Sequence, residues 1–265
     1  MHIIIRTASA LALVLAASVN HGALAAPVKN IVLVHGFFAD GSGWRGVADI
    51  LERDGYQVAV VQQPETSFEE DVKVTRRAID AFDGKSILVG HSYGGMVITE
   101  AGTSPKAAGL VYVSAFQPEV GESLLTLVKK TPPAGDSIKP TADGYLYVDP
   151  AQFHADFAAD VTAADAKFMA RSQVMPTVKT AGTAVTQAAW KTKPSWAVIT
   201  TADRTVNPAL QRFMAARAGS KVVNLDGSHA AFIAHPEQVA KVIEQAAAEA
   251  DAEADVHVAP TRPGF

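Results

Sequence analysis

Ser92 stands in Gly90-His91-Ser92-Tyr93-Gly94-Gly95, with a glycine two positions away on either side. A serine hydroxyl acts as a nucleophile when a base takes its proton and the chain presents it clear of its neighbours. A tight turn from a strand into a helix does this, and glycines flank it because side chains there would strike the adjoining elements. The run Ser86 to Val89 (SILV) precedes the motif, and a stretch of helical period begins near Gly94. Alone, Gly-x-Ser-x-Gly arises by chance in roughly one chain in ten of this composition. Its position between strand and helix makes it specific.

The base and the residue that orients it are expected further along, in the order serine, acid, histidine. His229 lies in Asp226-Gly227-Ser228-His229, a turn between the apolar run Lys221 to Leu225 and the last helical stretch. Among the other histidines, His235 precedes Pro236 and reads as the start of that helix. His91 points the opposite way on the elbow, His35 precedes the serine, and His154 and His257 fall in the middle insertion and the tail. Asp203 follows the run Ser195 to Thr200, where it would hold the imidazole in the required tautomer. Two alternatives stay open: Asp203 as a turn or cap residue, and Asp226 as the acid, although three residues along one turn are badly placed to orient the ring from behind. Charge developing on a carbonyl oxygen needs backbone donors. Tyr93 N–H supplies one, and Phe37 N–H, in His35-Gly36-Phe37-Phe38, is expected to supply the other. The side chains of Phe37, Phe38 and Trp44 fit a pocket wall or plain core equally well.

These residues all follow runs that read as buried strands: 30–34, 56–61, 86–89, 109–113, 195–200 and 221–225. Each is almost wholly apolar, as expected when both faces of a parallel sheet are covered. Helical periods lie between them at 43–53, 68–82, 94–102, 207–218 and 236–248. The expected fold class is therefore α/β and doubly wound, with about six parallel strands flanked by helices. Residues 117–190 break the alternation, contain no convincing strand, and read as a helical cap inserted before the last two strands. Phe153, Phe157, Phe168 and Met169 fit either an apolar roof over the site or the packing of cap onto sheet. The domain so defined covers residues 26–248, and residues 249–265, acidic and then proline-containing, are expected to form a disordered tail.

The 265 residues, 48% hydrophobic and 19% charged, are enough for one sizeable core. A net charge of −4 without a basic block argues against a nucleic-acid partner. Residues 8–19 are small or apolar and Ala23-Leu24-Ala25 follows, the layout of a signal peptide covering residues 1–25. The apolar run is too short and interrupted for a stable membrane span, so export to a periplasm or medium is expected. The chain has no cysteine, which excludes disulfides and thiol nucleophiles, and its eight histidines show no metal-ligand spacing. No metal and no cofactor are expected.

Val32-Leu33-Val34-His35-Gly36, Gly90-His91-Ser92-Tyr93-Gly94-Gly95, Ala202-Asp203-Arg204-Thr205-Val206-Asn207-Pro208 and Gly227-Ser228-His229 followed by His235-Pro236-Glu237 together resemble the α/β-hydrolase superfamily over roughly residues 30–246. The resemblance is to the compact branch of plant methyl-ester esterases and hydroxynitrile lyases. It implies Ser92, Asp203 and His229 as a triad and Phe37 and Tyr93 as oxyanion donors. Relatives with an aspartate nucleophile, the haloalkane dehalogenases and epoxide hydrolases, are disfavoured by Ser92. The lyases carry a threonine after the first-strand histidine and a lysine after the catalytic one; Gly36 and Ala230 stand here and favour ester hydrolysis. The family's two earliest strands have no counterpart, which agrees with a six-stranded sheet. The expected activity is hydrolysis of a small-molecule carboxylic ester through an acyl-enzyme, with lyase, acyltransferase or non-catalytic ligand-binding roles as alternatives on the same scaffold.

Overall fold

The computed structural model describes residues 28–256. The expected signal peptide and residues 257–265 of the expected tail lie outside the described residues. The chain runs through β1 (Asn30–Val34), α1 (Arg45–Arg53), β2 (Gln57–Val61), α2 (Phe68–Asp80), β3 (Ser86–His91), α3 (Gly94–Ala101) and β4 (Ala107–Val113). It then enters the cap: α4 (Leu124–Lys130), β5 (Ile138–Pro140), β6 (Leu146–Val148), α5 (Phe153–Asp156), α6 (Ala163–Met169) and α7 (Val178–Gly182). It returns through β7 (Ser195–Thr200), α8 (Pro208–Ala218), β8 (Lys221–Leu225), α9 (Ala231–Ala234) and α10 (Pro236–Val256).

Six strands form one parallel sheet in the order β2-β1-β3-β4-β7-β8. Alternation along each strand splits its side chains between two cores. Ile31, Leu33, Ile87, Val89, Val111, Trp196 and Val198 pack with Leu51 of α1 and Val239 and Ile243 of α10. Val32, Leu88, Leu110, Tyr112 and Ile199 pack on the other face with Val72 of α2, Val97 of α3, Met214 of α8 and the cap. Local signals set the helix ends. Ser67 accepts from Glu70 N–H to start α2, and α8 opens with Pro208 after an Asn207 cap and closes at left-handed Gly219. Because β1 pairs with β2 on one side and β3 on the other, the loops after β1 and β3 diverge and leave a crevice at the strand ends. Phe37 and Ser92 follow those two strands.

Three expectations need correction. The cap is not wholly helical: β5 and β6 pair as a short antiparallel hairpin. Their three-residue lengths, with Pro140 in one of them, leave no alternation long enough to show in sequence. Nor are all six strands covered on both faces. In β8, Val222 and Val223 are 45% and 39% exposed, because β8 is a sheet edge and α10 lies against β3, β4 and β7. Finally, α10 is helical through Val256, so 249–256 of the expected tail are ordered as helix. The alanine-lined face that carries Ala246 and Ala247 continues to buried Ala250. No described helix is long and apolar enough to cross a membrane.

Candidate active site

Ser92 has φ 52°, a left-handed conformation that non-glycine residues rarely adopt. Backbone hydrogen bonds hold it there. Its N–H donates to Val113 O at 3.2 Å, and its carbonyl accepts from Gly95 N–H at 3.0 Å and Phe116 N–H at 3.1 Å. The following helix approaches β1 so closely that a Cβ on Gly94 would lie 2.5 Å from Val34 O. Sharp turn and close packing together lift the serine to the crevice.

His229 and Asp203 meet beyond the ends of β8 and β7. The ring Nδ1 lies 2.8 Å from Asp203 Oδ2, and both side chains are fully buried. A carboxylate oxygen only accepts, so Nδ1 carries the hydrogen and Nε2 keeps its lone pair. Among the described residues that Nε2 has no hydrogen-bond partner; bonds of this kind often tighten only around substrate. Asp203 is held by further donors. Oδ1 accepts from Thr205 N–H and Val206 N–H, each at 2.8 Å. Oδ2 also accepts from Gln211 Nε2 at 2.8 Å and Thr200 Oγ1 at 3.1 Å. The rival Asp226 instead accepts from Thr201 Oγ1 at 2.9 Å, on the exposed side of its turn.

Several supporting residues went unnoticed in the sequence. His91 donates from Nε2 to His229 O at 2.9 Å, and the two rings lie 4.6 Å apart. Burial drives the His91 pKa well below its ordinary value, with His229 close by adding to the effect, which keeps it a neutral strut. Asp160 of the cap accepts from Ser228 N–H at 2.7 Å and from the Ser228 hydroxyl, and Ala230 N–H donates to Phe157 O at 3.0 Å. Arg204 is paired with Asp156 at 2.7 Å. The cap thus grips the loops that carry both His229 and Asp203.

Of the residues expected to supply backbone donors, Tyr93 follows the serine in the chain and Phe37 lines the same cavity as Ser92. Among the described residues neither Phe37 N–H nor Tyr93 N–H has an acceptor. Phe37 sits at the head of a loop in which Phe38 is also left-handed, at φ 66°. That loop is tied back through His35, whose Nε2 accepts from Gln63 N–H at 3.0 Å. His35 Nδ1 lies 3.3 Å from Glu65. Burial lowers the His35 pKa, and burial followed by the nearby Asp71 raises that of Glu65 well above the usual carboxylate range. Both shifts favour neutral forms, so the contact is not an ion pair.

A cavity of about 200 Å³ opens on Ser92. Its walls include Phe37, Phe38, Phe116, Leu125, Ile138 and Val206; Ser92 and Thr205 are the polar residues among those lining it, and none is charged. Phe37 and Phe38 are therefore pocket walls, whereas Trp44 belongs to the core on the far face of the sheet. Phe153 and Phe157 are buried and stack on each other at 4.8 Å, packing the cap instead of lining this cavity. Phe168 is largely exposed and, with Met169, borders a smaller recess across Phe38.

A parallel sheet with a serine raised at its switch point, and a histidine–aspartate pair at the ends of later strands, defines a doubly wound protein of hydrolase type. The sequence pattern of the alpha/beta hydrolase family matches residues 31–242, and the chain belongs to that family. It is similar to a carbendazim hydrolyzing esterase of Nocardioides sp., at 37% identity over 120 residues; the match spans 40% of this chain and 50% of the relative, about half its length. Among solved structures, a pyrethroid hydrolase from Sphingobium faniae superposes with a TM-score of 0.73 at 26% identity, covering 86% of this chain and 99% of that one. Polyneuridine aldehyde esterase shares the fold, with a TM-score of 0.71 at 18% identity over 82% of this chain and 98% of its own.

Proposed function

We propose that the protein is an exported serine esterase that cleaves a small, uncharged carboxylic ester by way of an acyl-enzyme. The observation that carries this reading is the 2.8 Å contact between His229 Nδ1 and Asp203, which leaves a bare Nε2 at the crevice that holds Ser92. His229 Nε2 takes the Ser92 proton as Oγ attacks the ester carbonyl, and Asp203 stabilises the imidazolium. The oxygen that becomes negative is received by Phe37 N–H and Tyr93 N–H. His229 returns the proton to the departing alkoxide, and water, activated by the same nitrogen, then frees the acid.

The lining supports an apolar, uncharged substrate portion, because an unpaired charge brought into such a wall loses its hydration without compensation. At about 200 Å³ the cavity falls below the roughly 300–1,000 Å³ of typical ligand pockets, which favours a compact group. Hydrolysis is preferred to lyase chemistry because a Cβ on Gly36 would stand 2.5 Å from Ser92 Cβ, and Ala230 is fully buried. A panel of short neutral esters tests the reading: wild type turns some of them over and Ser92→Ala turns over none, whereas equal activity in the two proteins refutes it. Export is tested by the mass of the protein recovered outside the cytoplasm, which lacks residues 1–25 if the leader is cleaved as proposed; retention of the full chain refutes it.

A further inference from the structure

Asp71 lies far from Ser92 in sequence and outside the machinery described so far, yet it is fully buried beneath the oxyanion donors. It occupies the first turn of α2 beside Glu69 and Glu70, which are exposed as first-turn acids usually are. Asp71 instead turns inward. Its Oδ2 accepts from the Tyr93 hydroxyl at 2.7 Å, and its Oδ1 accepts from Glu65 N–H at 2.9 Å. Glu65 is itself left-handed, at φ 56°, so this bond fixes a strained residue.

Tyr93 is consequently held at both ends. Its backbone follows the nucleophile, its hydroxyl is anchored on Asp71, and its ring stacks on Phe37 with centroids 3.8 Å apart and planes 17° apart. Phe68, the first residue of α2, also meets the Tyr93 ring, edge-on at 6.4 Å. The stack joins the two expected donor residues, whose N–H groups have no acceptor among the described residues, so anything that displaces the phenol moves both donors. A donor helps the transition state only when aimed at the oxyanion position, and aim is lost with small displacements.

We propose that Asp71 is a positioning residue for the oxyanion hole, clamping Tyr93 and, through the ring stack, Phe37. The inference rests on the esterase reading above. Tyr93→Phe removes the anchor while keeping the ring, and Asp71→Ala removes it from the other side. Each is expected to lower kcat about ten-fold with KM little changed, less than the 10²–10³ lost when a donor is deleted outright. The double variant is expected to be no worse than Asp71→Ala alone, because the bond that Tyr93→Phe breaks is already lost there. Asp71→Asn keeps an acceptor for Glu65 N–H and offers its amide to the Tyr93 oxygen, so it should restore most of kcat.

The specific readout is inhibition by a trifluoromethyl ketone, whose tetrahedral adduct needs the hole. Its Ki is expected to rise about ten-fold in Tyr93→Phe while KM stays level. If wild type turns over esters but Tyr93→Phe leaves kcat and the ketone Ki unchanged, this inference is wrong and the esterase reading stands. Effects that multiply in the double variant overturn it as well. Wild type without any ester turnover removes both. Should Asp71→Ala fail to fold, the ketone result on Tyr93→Phe decides alone.

Discussion

Replacing Asp203 by asparagine keeps the side chain's shape and exchanges one acceptor for a donor. The two backbone donors at Oδ1, Thr205 N–H and Val206 N–H, require an acceptor, so the amide oxygen is directed there. The amide nitrogen then takes the Oδ2 position, facing His229 Nδ1 at 2.8 Å. A donor at that point drives the imidazole hydrogen onto Nε2, the atom that must receive the Ser92 proton. The same nitrogen meets Gln211 Nε2, another donor, which cannot simply flip because Gln211 already serves Thr200 N–H and Val206 O. A wrong-tautomer histidine costs about 10⁴-fold in kcat, equivalent to about 5 kcal/mol of barrier. Crowded donors in a buried pocket cost about 1–3 kcal/mol of stability besides. The assay is kcat on a short neutral ester, with thermal unfolding run in parallel and Asp226→Asn as control. Asp226 accepts from the Thr201 hydroxyl on the exposed side of its turn and makes no contact with the His229 ring among the described residues, so its variant is expected to match wild type. Retention of more than about a tenth of kcat by Asp203→Asn, or an equal loss in Asp226→Asn, refutes the reasoning.

Three further outcomes follow from the same geometry. Gly36→Ala places a Cβ 2.5 Å from Ser92 Cβ and 2.9 Å from His91 O, so kcat should fall with a stability loss of about 1–3 kcal/mol, read by kinetics and thermal melts. Unchanged kinetics would show that the turn yields more than its packing implies. Burial raises the Asp71 carboxyl from 3.8 to about 6 in the folded protein. The folded state therefore holds a proton that the unfolded chain releases; the associated stability is complete below 3.8 and is lost as pH rises through about 6. That gap corresponds to about 3 kcal/mol, so the stability of wild type relative to Asp71→Asn should decline by about this much between pH 3.5 and 7.5 in denaturant titrations. A pH-independent difference would contradict it. Lastly, an ester carrying a carboxylate on the group that enters the cavity should lose at least about 10²-fold in kcat/KM against its neutral isostere; parity would mean that the apolar walls do not bind substrate.

Sequence made the frame legible because each inner strand is a short apolar run fenced by turn residues, and the loops after β3, β7 and β8 carry Ser92, Asp203 and His229 at matching strand ends. The structure brings Asp203 and His229 into contact and joins His91, the neighbour of Ser92, to the His229 carbonyl. What sequence did not disclose depends on where distant segments meet. His91 reaches the His229 carbonyl across 138 residues, and Gln211 reaches Asp203 only because α8 folds back along β7. In sequence Asp71 is one of three consecutive acidic residues in a helix's first turn, with nothing to mark it as the buried one. The exposure of Val222 and Val223 was equally hidden, since an apolar run does not say which strand ends the sheet. The hairpin of β5 and β6 was too short for its period to register.

Acylation of Ser92 is the step on which the proposed mechanism turns. Rapid mixing with a p-nitrophenyl ester, followed by quenching and peptide mass analysis, tests it directly. A burst of nitrophenol equal to the enzyme present is expected when deacylation is the slower step, together with an acyl group on the peptide that contains Ser92, absent in Ser92→Ala. Hydrolysis that proceeds with the acyl group on another residue, or that survives unchanged in Ser92→Ala, would contradict it.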